Sequence, residues 1–219
     1  MRLSSNIVLI WFLIELFSCA GVHVASAQSL PDPQELVQEL QAAQSSNGAK
    51  TKLTELAKSD PAVRAYLTTS LPPIIQLGPG SCHPVYRNGT TNIVDLDATW
   101  QSCPWHNAVE LAGRLKIAEA VSALAPWIGM SDKAGIITGG GEAGLGAYPA
   151  ARALSQIGDP AVPTLQHFLS KGNPIEHANA LHALCLIDSS NAKSVLRQYL
   201  PRETSPGAQQ MIRRALEKK

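Results

Sequence analysis

One short unit recurs in this chain at an interval of about thirty residues, and it limits the fold more than any other feature. Ala150, Ala153, Leu154 and Ile157 lead through Asp159-Pro160-Ala161-Val162 to Leu165 and Leu169. Further on, Ala180, Ala183, Leu184 and Ile187 lead through Asp188 to Val195 and Leu200. Apolar residues at helical spacing, a turn and a second apolar run describe a pair of short helices. One pair cannot bury its own apolar face, so copies must stack, and stacked copies leave an exposed surface suited to binding.

The same spacing extends in both directions. Leu36, Val37, Leu40 and Ala43 predict a first helix, ended by turn formers at Gln44 to Gly48, and Leu53, Leu56 and Ala57 a second from about Ala49. Asp60-Pro61 predicts a restart, with Asp as N-cap and Pro at the first helical position. Val63, Tyr66, Leu67 and Leu71 line that third helix, and Pro72-Pro73 is expected to stop it. Helical spacing returns at Ala108, Leu111, Ala112 and Leu115, then at Val121, Leu124, Ala125 and Ile128, with a kink or early end expected at Pro126. A last helix carries Ala208, Met211, Ile212, Ala215 and Leu216. Aromatic content of 5% beside abundant Ala and Leu favours helices over a β-sandwich.

Residues 77–104 break the pattern with Gly78-Pro79-Gly80, Asn88-Gly89, Cys82 and Cys103, and Asn92 to Asp97 fits a short strand. A second irregular stretch, rich in glycine, runs from Gly129 to Tyr148. Ahead of all this, residues 1–27 read as a sorting signal: Arg2 is the positive start, Ile7 to Ile14 the apolar run, and Ala25-Ser26-Ala27 the cleavage site before Gln28. Glu15 argues against an uncleaved anchor, because a central carboxylate costs about 2.5–3.5 kcal/mol on insertion scales. Leu16-Phe17-Ser18-Cys19 resembles a bacterial lipobox, which makes lipid attachment at Cys19 the alternative to simple release. The expected location is secreted or periplasmic.

Ala150 to Leu165, with Gly158-Asp159-Pro160 at its centre, resembles the short HEAT-like repeat of phycobilisome lyases and many bacterial repeat proteins. Leu111 to Leu124 is similar but lacks the Asp-Pro turn, and the later copy has Asp188-Ser189-Ser190 in place of Gly-Asp-Pro. The resemblance is good over residues 105–219, weaker over 49–75 and absent over 77–104. It implies an all-α fold, a HEAT-like α-solenoid of helical hairpins that binds proteins, with no reactive residues and no bilin site carried across. The expected organisation is a signal peptide at 1–27, N-terminal helices at 28–76, one disulfide-bridged irregular insertion at 77–104, and HEAT-like repeats at 105–219.

A formal net charge of +1 leaves no strong field for nucleic acid or anionic lipid. Export places Cys82 and Cys103 where they can pair, closing a loop worth about 3 kcal/mol in the chain-entropy model. The competing arrangement is a Zn²⁺ site built from Cys82, His83, Cys103 and His106. Cys185 beside Leu181 and Leu184 reads as a buried thiol. Gly139-Gly140-Gly141-Glu142-Ala143-Gly144 fits a dinucleotide fingerprint in letters alone, since the strand and parallel sheet it needs are not visible. His167, His177 and His182 are scattered, without a nucleophile at a telling spacing.

Of Trp100, Trp105 and Trp127, the first two flank Cys103 at the edge of the insertion. They pack around the disulfide or, with His106, anchor a partner. Asn88-Gly89-Thr90 is a glycosylation sequon. The function expected from these features is that of an exported, non-catalytic scaffold or adaptor for a protein or peptide, without a cofactor. The alternative is an envelope enzyme or metal-binding accessory with its site in the Cys/His-containing insertion.

Overall fold

The computed structural model describes residues 32–42, 44–80, 102–131 and 144–218. The expected strand at Asn92 to Asp97, the sequon, the glycine fingerprint up to Ala143, the sorting signal with Cys19, and Cys82, His83 and Trp100 lie outside the described residues. Among the described residues the protein is all-helical: α1 (Pro33–Gln41), α2 (Ser46–Ser59), α3 (Pro61–Gln76), α4 (Pro104–Arg114), α5 (Val121–Leu124), α6 (Pro149–Ile157), α7 (Val162–Lys171), α8 (Pro174–Leu186), α9 (Ser190–Tyr199) and α10 (Pro206–Glu217). None of these helices is long and apolar enough to cross a membrane.

Helix starts follow a common chemistry. Asp32, Asp60, Asn173 and Ser205 each accept an amide bond in front of a helix whose first residue is proline. Cys103 does the same before Pro104, its sulfur accepting from the His106 amide at 3.4 Å. Proline fits there because that position has no intrahelical partner for an N–H. At Pro126 the chain tightens into a 3₁₀ turn over Ala125–Trp127, the expected early end of α5.

Two boundaries differ from expectation. Ser46, Asn47 and Gly48 open α2 rather than ending α1, because Ser46 is fully buried and its Oγ accepts a 3.0 Å bond from Asn107 Nδ2 on α4. Helix α3 continues through Pro72 and Pro73 to Gln76. An interior proline costs about 3 kcal/mol, yet stopping there would withdraw Ile74 and Ile75 from the core, each worth about 1.5–3 kcal/mol. The hydroxyls of Thr68, Thr69 and Ser70 donate back to the carbonyls of Ala65 and Tyr66. Back-bonding of this kind helps a helix bend and accommodate the lost ladder bonds.

Packing runs in chain order. Helices α1, α2 and α3 pack on one another, and α2 and α3 both lie against α4. From there α4 packs on α6, α6 on α8 and α8 on α10, while α7 and α9 pack beside α8, and α9 also meets α10. One continuous apolar cluster extends from Leu36 to Ala215. Helices α4 and α6 approach closely, since a Cβ added at Gly113 would stand 2.8 Å from Ala153 Cα.

The turns between paired helices solve one problem in three ways. Gly158, at φ +87°, links α6 to Asp159–Ala161. Lys116, at φ +53°, occupies the corresponding turn after α4. After α8, Ser189 caps α9 by accepting from the Ala192 amide at 3.2 Å, with no left-handed residue.

Candidate functional site

Helix α8 begins with a reciprocal cap. Asn173 accepts from the amides of Ile175 and Glu176, and the Glu176 carboxylate accepts from the Asn173 amide at 2.9 Å. With its start fixed, α8 sets Ala178, Leu181, His182 and Cys185 on one stripe, at offsets of three, four and seven residues. Helix α10 sets Ala208, Met211, Ala215 and Lys218 opposite.

Between the two helices lies a cavity of about 610 Å³, lined chiefly by His177, Leu181, His182, Glu203, Ala208 and Met211. A second hollow of about 260 Å³ continues along the same helices, shares His182, Gly207 and Met211, and ends at Arg214 and Lys218. The result is a groove with apolar walls and an acidic residue toward one end and basic residues toward the other.

The acidic end is built on the turn between α9 and α10. Glu203 Oε1 accepts from the Ser205 amide at 2.8 Å, and the Glu203 carbonyl accepts from Gln209 Nε2 at 2.6 Å. Its carboxylate is thereby held while its side chain stays 8% exposed. Beside it, His177 Nδ1 lies 3.1 Å from the Leu169 carbonyl and Nε2 lies 2.9 Å from the Tyr199 hydroxyl. A carbonyl only accepts, so Nδ1 carries a ring proton, while the one proton of the Tyr199 hydroxyl serves either Nε2 or the Glu203 carboxylate. Burial first, and then the Glu203 charge and hydrogen bond, push the Tyr199 hydroxyl above its ordinary value. Glu203 Oε2 stands 3.8 Å from His177 Nε2.

The expected site residues fall elsewhere. Trp105 is 2% exposed and meets Trp127 edge to face, with ring centroids 6.0 Å apart. His106 is half-buried on the first turn of α4, and Cys103 is buried at its cap. Cys185 is free and buried, and burial, opposed by the Lys218 charge, pushes its thiol up to about 12. Such a thiol is almost wholly protonated at neutral pH and a poor nucleophile. Among the described residues no three His, Cys, Asp or Glu side chains gather as a metal set.

Reading the sequence missed the His177, Tyr199 and Glu203 cluster, treating the histidines as scattered over polar helix faces. The three residues come from α8, α9 and the turn that follows it. Their spacing carries no period, and only the Asn173-x-x-Glu176 cap that fixes the start of α8 was readable nearby. No family model, curated protein or solved structure matches the chain.

Proposed function

We propose that this protein is an exported HEAT-like α-solenoid acting as a non-catalytic scaffold, and that it holds a peptide segment of a partner protein in the α8–α10 groove. The order of packing supports the solenoid reading, since α4, α6, α8 and α10 follow one another as the leading helices of successive pairs. The single observation that carries the binding reading is the groove itself. Its cavity of about 610 Å³ has Leu181, Ala208 and Met211 on its walls and polar groups confined to a few fixed positions. Apolar walls with a few fixed polar groups suit a bound ligand, and the adjoining hollow along the same helices gives the groove length for an extended segment.

Selection from a displayed random-peptide library against the mature protein tests this reading. Enriched peptides are expected to lose at least about tenfold in affinity for Ala208→Arg, which fills the groove with a long side chain. They should bind Leu77→Ser unchanged, since Leu77 is 79% exposed and does not line the groove. Enriched peptides indifferent to Ala208→Arg, or no enrichment at all, would contradict the proposal.

A further inference from the structure

Among the described residues Glu203 is the one acid lining the larger part of the groove, and the donors that serve it, the Ser205 amide and the Tyr199 hydroxyl, carry no charge. Oε1 accepts from the Ser205 amide. Oε2 faces His177 Nε2 at 3.8 Å, an ion pair only while that ring is protonated, and the Tyr199 hydroxyl, a neutral donor, bonds to the same carboxylate. Among the described residues no Lys or Arg pairs with this carboxylate. The Lys and Arg side chains paired with acids among the described residues are Lys50, Lys52, Lys58, Arg114 and Lys193, none of which lines the larger part of the groove. Arg214 and Lys218 line only the adjoining hollow.

A carboxylate held at 8% exposure has lost hydration, and neutral donors without a permanent counter-charge offset that loss only in part. It repels an anion, and a purely apolar occupant would strip the remaining water from the carboxylate without supplying a compensating charge. We infer that the groove selects a basic side chain on an aliphatic stem, lysine being the type, carried on the partner's peptide: its cationic end meets Glu203 and its stem lies along Leu181 and Met211. Long basic side chains combine these two needs, with methylenes against apolar surface and the charge at the tip.

This assignment rests on the groove being the peptide site, and the test separates the two ideas. The probes are a capped Ala-Leu-Lys-Leu-Ala peptide and its counterpart with norleucine, which keeps the four-carbon stem and drops the ammonium. Titration calorimetry on the unaltered mature protein is expected to give at least about tenfold tighter binding of the lysine peptide. Glu203→Gln should bring the two affinities together, since glutamine keeps an acceptor for the Ser205 amide. Equal affinities in the unaltered protein would overturn the cation assignment and leave the groove standing as a docking site. Failure of both peptides to bind would overturn the cation assignment together with the groove. The comparison in the unaltered protein decides the matter even if the variant folds poorly.

Discussion

Gly113 shows how tightly single positions are held. It sits within α4, where an ordinary Gly→Ala change gains about 1 kcal/mol of helix propensity. Here the added methyl would press on the backbone of Ala153 and on the Gln156 amide oxygen across the α4–α6 seam. Overpacking of this kind costs about 1–3 kcal/mol. Urea unfolding of Gly113→Ala should therefore show a lower midpoint with an unchanged slope, and a stabilised variant would contradict the close approach. Lys116 and Gly158 make the complementary point. Both turn the chain with positive φ, yet only the glycine announces it, because a lysine in that region is held there by the helices on either side.

Between elements, the clearest link is electrostatic. Lys50 on α2 donates to Glu110 on α4 at 2.7 Å, and Arg114 also pairs with Glu110. Burial by itself would raise the Glu110 carboxyl, but the Lys50 hydrogen bond and charge, with the charges of Arg114 and His106, hold it below its ordinary 4.5. A depressed folded value means that this contribution is complete above the unfolded value and is lost as pH falls through the folded one. Glu110→Gln should thus be less stable than the parent at neutral pH by about 1–3 kcal/mol. The gap should close as both are taken to strongly acidic pH in thermal melts, and a constant gap would contradict the linkage. Neither partner was legible as a pair, since sixty residues separate them. Asp60-Pro61 was legible as a helix start because cap and proline are local signals. Pro72-Pro73 misled because the burial of Ile74 and Ile75 that overrides it is set by tertiary packing.

At the scale of the molecule, the all-helical build of the described residues was readable from period alone. Ala150 to Leu169 and Ala180 to Leu200 hold the apolar positions that become the α6, α7, α8 and α9 core faces. The groove was not readable, because His177, Tyr199 and Glu203 owe their meeting to how α8, α9 and α10 pack, which no local spacing encodes. In an array whose helix pairs hold only their neighbours, damage at one end should remain near that end. Leu196 is fully buried on α9, and Leu196→Ala should cost about 2–5 kcal/mol locally. Native-state hydrogen exchange on this variant measures how far the loss spreads. The solenoid reading predicts faster exchange in α8, α9 and α10 with α2 and α3 unchanged, whereas equal acceleration through α2 and α3 would contradict it.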